Sequence, residues 1–133
     1  MAADLVIKNG WVVTPSETFE GGVAISNEKI VAIGANDQLP KGKEEIDAKG
    51  KYILPGIFDG HVHFREPGMT HKEDFNTGST AAVCGGVATV VDMPNTVPPP
   101  ADAEQVKIKQ QLGEASSLVD FGVTDILPLH GLE

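Results

Sequence analysis

Ile53-Leu54-Pro55-Gly56-Ile57-Phe58-Asp59-Gly60-His61-Val62-His63-Phe64-Arg65-Glu66-Pro67-Gly68 is the stretch on which the rest of the chain turns. One apolar run ends in Pro-Gly, a second begins at once, and two histidines and an arginine follow on alternate positions. If the strand that holds Ile57 runs through His63 and beyond, side chains at i, i+2 and i+4 share one face. His61, His63 and Arg65 would then meet one ligand, as a metal-binding pair beside an anion clamp.

Downstream of this stretch the pattern is strand, loop, helix, strand, helix, strand, the order of a parallel sheet with helical crossovers. Residues 57–63 are expected to be its first strand, 72–83 a helix closed by Gly85-Gly86, and 87–93 the second strand. Pro98-Pro99-Pro100 makes a stiff connector, Asp102 caps a helix through Ser116, and residues 118–124 form the third strand. A proline-rich ligand for an SH3-like partner is the other use of such a run, but this one is short and lies between two periodic elements. Upstream, short β-type runs alternate with turn chemistry. Asn9-Gly10 predicts a hairpin between residues 5–8 and 11–15, and Asn27-Glu28-Lys29 a second between 23–26 and 30–34. The boundary between the two patterns is expected near Pro55.

The 133 residues are the size of one ordinary domain, and 41% hydrophobic content suffices for a core. A net charge of −9 argues against sequence-independent binding to nucleic acid or to an anionic membrane, both of which need a basic surface. An anionic substrate therefore requires a local positive group. Cys84 is the single cysteine, so no internal disulfide forms. The start Met-Ala-Ala-Asp lacks signal-peptide features, and no apolar run approaches a membrane span. A soluble, cytoplasmic protein is expected.

Two neutral imidazoles in a His-x-His pair can bind one divalent metal and leave positions for other ligands and water. Taken by themselves, two nearby histidines are more often surface or hydrogen-bonded residues. Arg65 presents a planar fork suited to a carboxylate, or an ion pair with Glu66 or Glu73. Asn95, in Asp92-Met93-Pro94-Asn95-Thr96, falls just after the second strand; by itself it would be a turn residue. Asp59 has the strand parity of His61 and could orient its imidazole from outside the ligand set, or make a structural hydrogen bond near the strand. His71 reads as a solvated loop residue and Cys84 as a small packed side chain.

Leu54-Pro55-Gly56, the ten residues from Asp59 to Gly68, Lys72-Glu73-Asp74, Thr77-Gly78 and Met93-Pro94-Asn95-Thr96 together resemble the cyclic amidohydrolases, in particular those of the dihydroorotase type. Asp4-Leu5-Val6-Ile7-Lys8-Asn9-Gly10 is similar to their N-terminal β subdomain, so the resemblance covers essentially residues 4–125. It implies an α/β chain: residues 1–54 as a β-rich subdomain, part of the family's β-sandwich, and 55–133 as a partial metal-dependent hydrolase barrel of the (β/α)8 (TIM) type, truncated after its third strand. By the same resemblance His61 and His63 bind zinc, and Arg65 and Asn95 hold the carboxylate of a small anionic cyclic amide. The implied reaction is the reversible hydrolysis of dihydroorotate to carbamoyl aspartate in pyrimidine biosynthesis, with metal activating water and stabilising the oxyanion. Allantoinases and hydantoinases share the fold and the His-x-His but usually lack an arginine at the position of Arg65, and remain the alternative.

Neither Glu66 nor Asp74 matches the family's general base, which, like the remaining metal ligands, is expected on later strands. No catalytic residue is therefore assigned within the chain, which is expected to be inactive by itself. A closed barrel needs eight strand–helix units and about 250 residues. An open one exposes strand edges, so self-association or a partner covering the edge is expected. A non-catalytic assembly module is the second functional class. His130 could add a metal ligand only in a rearranged fold, and Leu132-Glu133 has the form of a cloning remnant.

Overall fold

The computed structural model describes residues 2–126. The chain forms two compact units, Met1–Pro55 and Gly56–Glu133.

The first unit is a five-stranded sheet of β1 (Ala3–Val13), β2 (Thr18–Ser26), β3 (Lys29–Gly34), β4 (Gly42–Asp47) and β5 (Tyr52–Ile53). The path is β3-β2-β1-β4, with β5 also paired to β1. The expected hairpin at Asn9-Gly10 does not form, because β1 runs straight through it. Asn9 takes a left-handed backbone (φ 59°), and the register against β2 shifts between Ile7 and Gly10, so the pair makes a bulge instead of a turn. The bulge is held by Asn36 Oδ1, which accepts from Asn9 N at 2.9 Å, and by Asp47 Oδ1, which accepts from Asn9 Nδ2 at 3.2 Å. At Gly10 a Cβ would stand 2.6 Å from the Ile53 side chain, so glycine permits the close approach of β5. The chain reverses later, where Thr14 N donates to Glu17 O at 2.9 Å. The second expected hairpin is present: Asn27 and Glu28 both have positive φ, the requirement of a two-residue type I′ turn. Ala3, Val6 and Ala24 form the core of this unit, with Ala32 and Leu39 against them.

The second unit alternates β6 (Ile57–Val62), α1 (Phe75–Cys84), β7 (Val87–Asp92), α2 (Ala103–Ser116) and β8 (Asp120–Val123). The three strands pair in parallel in the order β6-β7-β8. Helix α1 starts at Phe75, three residues later than expected. Asp74 accepts from Thr77 N at 2.7 Å while Thr77 Oγ1 accepts from Asp74 N at 3.2 Å, a reciprocal capping box that fixes the first turn there. Asp102 caps α2 as expected, accepting from Gln105 N at 2.8 Å. Gly86, just past α1, has the positive φ (83°) that lets the chain turn into β7. The proline run is a connector with Pro100 fully buried. Phe75, fully buried, sits edge-on between Phe64 and Phe121 at centroid distances of 5.6 and 5.4 Å, and Val90 completes this core. Among the described residues no helix is long and apolar enough to cross a membrane.

Candidate functional site

The C-terminal ends of β6 and β7 carry the predicted residues. His61 is the penultimate residue of β6 and His63 follows its end; both are exposed, with ring centroids 5.1 Å apart and planes at 77°. From the loop after β7, Asn95 places its Oδ1 2.7 Å from His63 Nδ1. An amide oxygen only accepts, so His63 donates Nδ1–H, and in the neutral imidazole Nε2 then carries the lone pair. Asp59 Oδ1 accepts from the backbone N–H of His61 at 3.1 Å. Of its two anticipated uses, the structural hydrogen bond is the one formed.

Arg65 does not continue the alternation. Its backbone is left-handed (φ 64°), and its carbonyl accepts from Met69 N at 3.0 Å, so the chain has already left the extended conformation. The residue before it is fixed: Phe64 lies in the core, 5% exposed, and its N–H donates to Asp92 Oδ1 at 2.8 Å. Strand alternation therefore accounts for the two histidines, and Arg65 stands on the loop that follows. Among the described residues the Arg65 side chain forms no ion pair or hydrogen bond. Its anticipated partners are engaged at the start of α1, where Glu66 Oε2 accepts from Phe75 N at 3.0 Å and Glu73 bonds the Thr77 hydroxyl. Asp74, the other acidic candidate, is the helix cap, and the Thr77 N–H, followed by the Thr77 hydroxyl, holds its carboxyl below the ordinary value.

Three residues that shape the site were given no role by the sequence. Asp92, the last residue of β7, is fully buried and faces the equally buried Lys109 of α2, with Nζ 2.9 Å from Oδ2. The aligned hydrogen bond of Lys109 goes to Met93 O at 2.6 Å, so its contact with Oδ2 is ionic attraction without a directed bond. A carboxylate closing the apolar run Val90-Val91-Asp92 is a legible oddity, whereas a helix lysine ordinarily points to water. The third is Gly68 (φ 90°), where a Cβ would lie 1.9 Å from Val97 O; Val97 N donates to Pro67 O at 3.1 Å. The loops bearing Arg65 and Asn95 are thus knit together.

Cys84 is exposed rather than packed, and His71 lies exposed in a turn. His130 and the pair Leu132-Glu133 lie outside the described residues. Among the described residues no group of three or more His, Cys, Asp or Glu side chains could hold a metal ion. Two adjacent imidazoles, one with its Nε2 lone pair fixed, have the donor chemistry for part of a divalent coordination shell and need further donors to complete it.

A family model described as "Dihydro-orotase-like" matches residues 50–128. The chain is 49% identical to the dihydroorotase of Methanothermobacter thermautotrophicus over 107 residues, 74% of this chain and 25% of that protein. It is 44% identical to the allantoinase of Desulfitobacterium hafniense over 121 residues, 90% of this chain and 26% of that protein. Among solved structures, the L-hydantoinase of Arthrobacter aurescens superposes with a TM-score of 0.85 at 28% identity, covering 92% of this chain and 28% of that one. The chain spans about a quarter of the length of the curated relatives it matches. The likeness identifies the fold as α/β, a β-rich unit followed by the first strand–helix units of an amidohydrolase barrel. With the family model covering more than half of its residues, the chain belongs to the dihydro-orotase-like family of cyclic amidohydrolases and corresponds to its N-terminal portion.

Proposed function

We propose that this chain carries the first part of a zinc-dependent dihydroorotase centre. The observation that supports this best is the His63 Nδ1–Asn95 Oδ1 contact of 2.7 Å beside His61, because it leaves the His63 Nε2 lone pair available as a ligand. His61 and His63 hold the metal. Asn95 then serves twice, since its oxygen orients His63 while its amide N–H groups remain to donate to a substrate carboxylate. Arg65, on the adjoining loop and without an acidic partner among the described residues, supplies the positive charge for that carboxylate. Zinc, when bound, would polarise the ring carbonyl and lower the pKa of its water to about 7. The chain's own residues orient the imidazoles and seat the anion. The general base and remaining ligands have no candidates among the described residues, and the chain matches about a quarter of the length of the curated relatives, so the 133 residues alone are expected not to hydrolyse dihydroorotate. The open sheet edges, at β8 as expected from residues 118–124 and also at β6, would be covered by further strands or by a partner.

An allantoinase- or hydantoinase-type activity is the second reading, favoured by the allantoinase relative and by the hydantoinase structures. It assigns no carboxylate to Arg65. The test of the metal assignment is titration of the purified chain with Zn(II) against a chromophoric chelator. Uptake that disappears in His61→Ala and in His63→Ala is expected. Uptake unchanged by both substitutions would remove the assignment.

A further inference from the structure

We infer that the buried Asp92–Lys109 pair is a positioning device that sets the geometry of His63 and Asn95, an inference that rests on the site proposed above. Asp92 is 0% exposed and the Lys109 side chain 1%, so neither can serve a solvent-side ligand. Burying two charges is costly, and apolar residues of the same volume commonly do as well or better for stability. What these two charges do locally is therefore informative. Asp92 Oδ1 accepts from the N–H of Phe64, the peptide immediately after His63, at 2.8 Å. Lys109 Nζ donates to the carbonyl of Met93, two residues before Asn95, at 2.6 Å. Asp92 O accepts from both N and Oγ1 of Thr124, at 3.0 and 2.9 Å, which adds the end of β8 to the same knot.

One ion pair thus holds the two chain segments whose side chains meet at 2.7 Å, and it does so through their backbones, at Phe64 N–H and Met93 O. Release of the Phe64 peptide frees His63 to move with its loop. Release of the Met93 carbonyl frees Pro94 and Asn95. Both ends of the His63–Asn95 contact depend on the pair, and with that contact goes the single tautomer that keeps Nε2 unprotonated.

The test uses the full 133-residue chain at pH 8 without metal, read by 15N NMR of the His63 ring and by amide exchange at Phe64. In the wild type His63 is expected as the Nδ1–H tautomer, with Phe64 N–H exchange slowed about 100-fold or more relative to a free peptide. Asp92→Leu/Lys109→Met removes both charges and both anchoring hydrogen bonds at nearly constant volume. It is expected to keep the thermal unfolding midpoint close to wild type while the His63 ring becomes a mixture of tautomers. Asp92→Asn/Lys109→Met, which retains an acceptor for Phe64 N–H, is expected to lie between.

A folded Leu/Met variant with His63 still in one tautomer would overturn the proposal, as would tautomer loss that merely tracks loss of stability across the two variants. Unprotected Phe64 N–H in the wild type would overturn it even if neither variant folds. A parallel Zn(II) titration separates the failures. No zinc uptake by the wild type, with the tautomer result as expected, defeats the metal assignment and leaves the positioning role standing. A roughly 10- to 100-fold weaker uptake by the Leu/Met variant is the expected outcome if both hold.

Discussion

Replacing Gly78 by alanine should destabilise the second unit, although the same change inside a helix ordinarily stabilises. Gly78 is a buried residue of α1, and alanine is favoured over glycine in a helix interior by about 1 kcal/mol. Here the new Cβ would stand 2.3 Å from Cδ1 and 2.4 Å from Cε1 of Phe64, far inside ordinary contact. The ring cannot easily withdraw. Phe64 packs edge-on against the fully buried Phe75 at 5.6 Å, and its own N–H is tied to Asp92. Overpacking of this kind costs about 1–3 kcal/mol, so after the propensity gain a net loss of about 1 kcal/mol remains. For a unit of this size that lowers the unfolding midpoint by about 4–8 °C.

Urea unfolding followed by circular dichroism measures the difference. Gly85→Ala is the matched control, because its Cβ would meet only backbone oxygens at 3.4 and 3.5 Å and its φ of −87° suits any residue. The control should stay within about 0.5 kcal/mol of wild type. Gly78→Ala as stable as wild type, or more so, would show that the Phe64 ring is not pinned between α1 and the sheet.

Acid should loosen the start of α1. The Asp74 carboxyl is held below 3.8, first by the Thr77 N–H and then by the Thr77 hydroxyl, so its contribution is present above pH 3.8 and is lost as pH falls through the folded-state value. The Thr77 amide shift should titrate only in that acid range and lose this titration in Asp74→Asn; an identical titration in the variant would reject the cap as its cause. Arg65 is best tested in a chimera in which this chain replaces the matching quarter of a curated dihydroorotase relative. Arg65→Ala should raise KM for dihydroorotate by about 10- to 100-fold, the worth of a charge-assisted bond of about 1.5–3 kcal/mol, and leave a neutral cyclic amide nearly unaffected. Equal losses on both substrates would favour the hydantoinase-type activity.

Local rules were legible in the sequence where the chemistry was local. Asp102 caps α2 because its side chain needs only an amide three residues on, and Asn27-Glu28 turns because two positive φ angles suffice. Asn9-Gly10 obeys the same local rule and still misled. Asn36 and Asp47 claim Asn9 from far along the chain and convert a turn signal into a bulge within an eleven-residue strand. The start of α1 was misplaced because the run at residues 72–74 is helix-compatible, and only the reciprocal bond between Asp74 and Thr77 says where the first turn closes.

The sequence by itself determined which chemistry-bearing residues stand at the ends of the first two parallel strands, since His61-Val62-His63 and Met93-Pro94-Asn95-Thr96 are each written contiguously. It also determined the alternation of strand and helix, because periodicity and caps are properties of neighbours. Only the tertiary structure decided which of those residues meet. Strand parity predicted Arg65 on the face of the histidines, but beyond the buried Phe64 and its bond to Asp92 the backbone is left-handed at Arg65 and no longer extended. Likewise Asn95 comes to His63, and Lys109 to the Met93 carbonyl, through pairings across 32 and 16 residues that no local pattern specifies. Contacts of that separation arise from the packing of whole elements, which fixes them once the core has formed and leaves no mark on the residues in between.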